Sequence, residues 1–146
     1  MIDPDNVPPI EQDEMLARFI LEKKLIYDKD KSAKPRLFYP YKHVELSVNR
    51  HCDCTEEEIW DFGFGVADFR KKRLRGRCDI TVGDCTFDSL SVVAKPIKDH
   101  PKGVPDNPNH ADIVGYPENK EDQMSLAQKL AAKASKRMLP PEDLCE

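Results

Sequence analysis

The sequence predicts an α+β fold, one small, mainly antiparallel sheet packed against two or three helices. Three observations predict it. Val44, Leu46 and Val48 alternate with polar residues, as do Cys78, Ile80 and Val82, which is the period of strands with one buried face. Thr55 and Glu58 have the spacing of a capping box ahead of an apolar stripe of helical period. Ala127, Leu130, Ala131 and Ala134 recur on one face of an alanine-rich stretch that stops at Pro140 and Pro141.

In chain order, residues 1–11 carry Pro4, Pro8 and Pro9 among acids, with little to bury, and are expected to be a flexible leader. Leu16, Phe19, Ile20 and Lys23 recur at helical spacing, so a short amphipathic helix is expected within residues 12–27. The charged stretch 28–35, closed by Pro35, reads as a connector. Residues 37–41 read as an extended piece that Pro40 confines to an edge or a bend. The first strand then runs through Val44, Leu46 and Val48 to Arg50.

The helix opened by Thr55 presents Ile59, Phe62, Gly63, Val66 and Ala67 on one face, and its acidic first turn suits the positive end of the helix dipole. Gly63 and Gly65 each cost a helix about 1 kcal/mol relative to alanine, which points to close packing or a bend. Residues 78–82 form a second strand. Gly83-Asp84 reads as a tight turn, and residues 85–94 return as its partner in a β-hairpin. Residues 95–109 hold Pro96, Pro101, Pro105 and Pro108 and are a long loop. A short strand over 111–116 and a helix over 119–138 complete the domain, which spans residues 12–138, with 139–146 as a tail. Trp60, Phe62, Val66, Ile80, Val82, Val92, Ile113 and Leu130 are the expected core.

The 146 residues are 39% hydrophobic and 34% charged, enough for one modest core but not two. A formal charge of -4 argues against a general nucleic-acid coat. No apolar run reaches the ~18 residues of a membrane helix. The acidic start, Met1-Ile2-Asp3-Pro4-Asp5, is unlike a signal peptide, so the expected setting is cytoplasmic, away from membranes. Five cysteines (Cys52, Cys54, Cys78, Cys85 and Cys145) are an odd number and read as reduced, inert thiols. Cys52 and Cys54, beside Arg50 and His51, are nonetheless candidates for thiols of lowered pKa. Cys-x-Cys is not a zinc-knuckle spacing and no second pair completes it, so no metal is expected. Gly63-Phe64-Gly65 lacks a third glycine and lies inside a helix, and there is no Walker, His-Glu-x-x-His or Gly-x-Ser-x-Gly sequence, so no cofactor is expected.

Three stretches carry chemistry. The loop-to-strand junction 106–117 gathers Asn109, His110 and Asp112, with His110 a candidate general base whose tautomer Asp112 or a backbone carbonyl would set. The same residues can equally tie the loop down through hydrogen bonds to the backbone. Arg50 ends a strand among small polar groups, where it can fork onto a carboxylate or phosphate, or pair with acids of the following helix. The run 71–77 offers Lys72, Arg73 and Arg75 to an anionic ligand or partner, or simply complements the end of the preceding helix.

Ser47-Val48-Asn49-Arg50, Glu58-Ile59-Trp60, Gly76-Arg77-Cys78-Asp79-Ile80 and the block Asn109-His110-Ala111-Asp112-Ile113-Val114-Gly115-Tyr116-Pro117, followed by Lys120, Gln123 and the alanine-rich helix, carry a resemblance. Together they resemble a widespread family of small uncharacterised bacterial proteins in which a His-Ala-x-Ile-x-Gly-Trp-Pro-like block precedes a C-terminal helix. The likeness spans residues 33–134. Tyr116 stands where that pattern has tryptophan, and Cys78 where it has alanine. The resemblance implies a single domain in a bacterial cytoplasm and carries no activity. The functional expectation is therefore a non-enzymatic accessory module working with a protein partner. The alternative is a small enzyme acting on a phosphorylated or nucleotide-like substrate around Arg50, Asn109 and His110. Contact with nucleic acid through residues 71–77 is a third, lesser reading.

Overall fold

Met15–Ile20, where helical spacing predicts a helix, is instead a strand, β1, and it organises the molecule. The computed structural model describes residues 1–41 and 43–141. In it β1 pairs with Leu46–Arg50 (β2) on one side and Gly76–Thr81 (β3) on the other, both antiparallel. The spacing misleads for a simple reason. Leu16 and Ile20 are four residues apart, which puts them on one face of a helix and equally on one face of a strand. Phe19 is the discriminating residue: it points to the opposite face, where a Cβ on Gly63 would stand 2.7 Å from its ring. Backbone pairing on two sides outweighs a marginal local helical preference.

Ser91–Ala94 (β4) and His110–Val114 (β5) complete an antiparallel five-stranded sheet of order β3-β1-β2-β5-β4. The fold is α+β, as expected. The hairpin expected across Gly83-Asp84 does not form, because β3 and β4 lie at opposite edges. Thr81 caps a single helical turn, Val82–Cys85 (α2 below, the helix over residues 56–69 being α1), by accepting from the Asp84 amide. The Gln12 and Glu14 carbonyls hold the amides of Gly83 and Val82. That turn buries Val82 and Cys85 and sends the chain across the molecule.

Leu16, Ile20, Leu46, Val48, Cys78, Ile80, Ala111 and Ile113 line one face of the sheet and pack against Leu37, Phe38 and the helix Lys120–Lys133 (α3). Residues 35–38 form a 3-10 turn rather than an extended piece, and the Tyr116 hydroxyl donates to its Phe38 carbonyl. On the other face lies α1, Glu56–Phe69, with the predicted capping box in place. There Trp60, Ala67 and Leu74 pack with Phe19, Leu21, Phe64 and Met138. Arg77, on β3, stacks its guanidinium 4.6 Å from the Trp60 ring and donates to Glu56 and Asp79.

Of the expected core, Trp60, Ile80, Val82, Ile113 and Leu130 are buried, whereas Phe62, Val66 and Val92 are only half-buried. Residues 134–138 leave the helix and run along the outer edge of β3, where Arg77 and Met138 exchange backbone hydrogen bonds. The start of the chain is not loose. Ile2 is 1% exposed, its amide donates to Asn109 Oδ1, and the Pro8 and Pro9 carbonyls accept from Arg50. Residues 142–146 of the expected tail, including Cys145, lie outside the described residues. Among the described residues no helix is long and apolar enough to cross a membrane.

Candidate functional site

Arg50 and Asn109 were expected to share a site with His110, and the fold does bring their backbones together: the Arg50 amide donates to the Asn109 carbonyl. Their side chains are already engaged. Arg50 is fully buried and forks onto Glu14, Nε to Oε2 at 2.6 Å and Nη2 to Oε1 at 2.7 Å, while its other donors reach Pro8 and Pro9. Its partner is thus a residue just before β1, not an acid of the following helix. Asn109 is equally occupied: Oδ1 accepts from Ile2, and Nδ2 donates to the Arg50 and Cys52 carbonyls. Both residues hold the first fourteen residues against the sheet.

His110 stays at the surface of β5, across from Asn49. Its Nδ1 lies 2.9 Å from the Lys95 carbonyl, and because a carbonyl only accepts, Nδ1 carries the proton. Nε2 lies 3.6 Å from Asp112, whose other oxygen is 3.4 Å from Lys95 Nζ. Strand alternation sends Arg50 to the opposite face from its neighbour Asn49, so His110 and Asp112 share an ion cluster with Lys95 and Glu45 but not with Arg50.

The cysteines are the reverse of activated. Burial pushes the Cys54 thiol up to about 11 and those of Cys78 and Cys85 up to about 12, and Cys52 is also raised, by burial first and Asp53 second. The lowered pKa expected from nearby Arg50 and His51 does not arise, since Arg50 is neutralised by Glu14. Among the described residues no group of three or more His, Cys, Asp or Glu could hold a metal ion. At Cys52, Cys54, Cys78 and Cys85, native protein is therefore expected to react with iodoacetamide at neutral pH at least about tenfold more slowly than protein unfolded in urea. Because folding favours the neutral thiols, the folded state binds more protons above the ordinary thiol pKa of 9.0, and stability should fall as pH rises from there toward 12. Mass spectrometry of the adducts and a thermal melt across that range check both.

The basic run divides by position. Lys72 makes a surface ion pair with Glu22 at 3.1 Å, Arg73 is exposed, Leu74 is buried and Arg77 belongs to the Trp60 network. Arg75 goes elsewhere. With Arg137, Lys23, Lys31, Asp28, Ile20 and Ile26 it lines a cavity of about 230 Å³. Ile20 and Ile26 lie behind it almost wholly buried, so the surface the cavity presents is more polar than apolar. Arg75 and Arg137 are half-buried, and Lys23, Asp28 and Lys31 form an exposed rim.

Three separate stretches of chain are pinned to make this cavity. The Arg75 amide donates to the Ile20 carbonyl at 2.7 Å, and the Arg137 amide to the Lys31 carbonyl at 2.8 Å. Lys31 itself sits in the left-handed region, φ 64°. Gly76, at φ +139°, makes room for the crossing: a Cβ there would stand 2.5 Å from the Met138 carbonyl and 2.8 Å from Arg137 Cγ. The Nε atoms of Arg75 and Arg137 are buried without a hydrogen-bond partner among the described residues. A buried donor left unmade costs about 1–3 kcal/mol, and more when charged, so both arginines are held here at a cost.

No family model, curated protein or solved structure matches this chain. The cavity is thus the best-supported site on its geometry alone. Arg75 was legible as a candidate from its basic run. Lys23, Lys31, Asp28 and Arg137 were not, since they come from a helix-like stretch, a charged connector and the end of the last helix, and only the fold joins them.

Proposed function

We propose that this chain is a non-enzymatic accessory module that recognises an anionic group in the cavity between residues 20–31, Arg75 and Arg137. One observation carries the reading: two guanidinium groups with buried, unpartnered Nε atoms line a cavity that has two lysines and a single carboxylate at its rim. Guanidinium groups are weakly hydrated and fork onto oxyanions, which suits them to anion binding in a half-buried cavity. The anion would neutralise like charges that three chain segments hold together. A bacterial cytoplasmic setting, and a protein partner that supplies or uses the anion, belong to the same proposal. The engagement of Arg50 and Asn109 in internal bonds favours it over a catalytic site at those residues.

Isothermal titration calorimetry with inorganic phosphate tests the proposal. Saturable binding is expected, and Arg75→Gln or Arg137→Gln should each weaken it by about 1.5–3 kcal/mol, the worth of a charged hydrogen bond, or roughly ten- to a hundredfold in Kd. Lys72→Gln, outside the cavity, should change it little. Absence of saturable binding, or equal binding by the arginine variants, would sink the reading.

A further inference from the structure

We infer that the ligand of this cavity is a small phosphate monoester whose organic part carries a hydroxyl, a sugar or polyol phosphate, seated with its phosphoryl group against Arg75 and Arg137 and a hydroxyl on Asp28. The inference rests on the anion-binding reading above and adds the chemical class of the ligand.

The balance of charge is the first argument. Four cations and one carboxylate line the cavity, an excess that suits a dianion better than a single carboxylate. Arg75 and Arg137 come from separately anchored segments, one leading into β3 and one following α3, and each brings its own fork of donors. A carboxylate has two coplanar oxygens, so two forks must share its plane. A phosphoryl group has three terminal oxygens in a tetrahedral array and accepts from two forks at once.

Asp28 is the second argument. It stands at the rim among Lys23 and Lys31, yet makes no ion pair among the described residues. A bare acceptor beside a bound anion repels a ligand that is anionic throughout. It takes up a hydroxyl donor displaced from the phosphoryl group by a few bonds, which is how a site separates an ester from the free anion.

Size is the third. At about 230 Å³ the cavity is smaller than the ~300–1,000 Å³ of sites for drug-sized ligands. It accommodates a phosphoryl group with a few carbons rather than a whole nucleotide.

The test is titration of the full chain and of Asp28→Asn with inorganic phosphate, glucose 6-phosphate and succinate at constant ionic strength. Glucose 6-phosphate is expected to bind about tenfold more tightly than inorganic phosphate. The Asp28→Asn variant, altered only at an exposed side chain, should bind inorganic phosphate more tightly, because a neighbouring negative charge is gone. It should bind glucose 6-phosphate several-fold less tightly, because the hydroxyl loses its charged acceptor. If Asp28→Asn strengthens both equally, Asp28 acts only through its charge and the hydroxyl assignment is overturned. If succinate matches the phosphate ester, the class is wrong while the anion-binding reading survives. If the chain ignores all three but binds a short single-stranded RNA through Arg75 and Arg137, the small-molecule assignment is overturned. If no anion binds at all, the reading beneath the inference falls with it.

Discussion

Replacing Arg50 with methionine is expected to destabilise the protein by about 3–5 kcal/mol, the usual consequence of leaving one member of a buried ion pair alone. That is a large part of the 5–15 kcal/mol that separates most domains from their unfolded chains. Arg50 is completely buried, and Glu14, its bidentate partner, is 8% exposed in its side chain. Without the guanidinium the Glu14 carboxylate stays in a dry site, and the Pro8 and Pro9 carbonyls lose their donors together. The first fourteen residues should then loosen, and Ile2 with them. Urea unfolding measures the loss, and amide exchange at Ile2 reports the loosening. The double variant Arg50→Met with Glu14→Leu should recover much of the stability, since apolar replacement of a whole buried pair is often neutral. A loss below about 1 kcal/mol in the single variant would show the pair to be dispensable.

A change of Gly115 to alanine comes next, at about 2–5 kcal/mol, from left-handed strain together with overpacking. Gly115 has φ +95°, and a Cβ would collide with the Ser89 carbonyl oxygen and press on Leu90. The clash is with backbone, so rotating a side chain cannot relieve it. Ser89 also donates its hydroxyl to the Gly115 carbonyl at 2.6 Å, which clamps the approach to β4 against the exit from β5. Tyr116 follows, with its hydroxyl on Phe38, so the displacement would reach the seat of α3. The control is Gly103→Ala, at φ +80° with open space around it, where only the strain of about 1 kcal/mol should appear. Thermal melts of the two variants side by side decide the matter. Equal losses would mean that the Ser89 contact yields at no cost.

Much of this molecule was legible where the signal was local. The capping box at Thr55 and Glu58 forms as its spacing requires, because both partners lie within one turn. The strand ending at Arg50 and the helix opening at Lys120 follow from periods of two and 3.6 in the apolar residues, although that helix ends at Lys133 and not at the expected 138. Gly63 also behaves as expected, placed where Phe19 and Leu74 leave no room for a Cβ. The misses share a different cause. Residues 15–20 carry an apolar spacing that helix and strand both satisfy, and pairing with β2 and β3 chose between them. Gly83-Asp84 has the composition of a hairpin turn, but the Gln12 and Glu14 carbonyls captured the Gly83 and Val82 amides and turned the chain into a helical segment. The candidate site divides in the same way. Arg75 stood out within a basic run, whereas Lys23 was read as part of a helix face and Arg137 as the end of one.

Caps and strand periods therefore came from chemistry between residues a few positions apart, whose energies the chain carries wherever it goes. Strand order, the burial of Ile2 and the Arg50–Glu14 pair came from contacts between distant segments, which have no energy until the loops between them close. The cationic cavity belongs wholly to that second kind: like charges at residues 23, 31, 75 and 137 repel in the unfolded chain, and only the hydrogen bonds that pin their backbones make them one site.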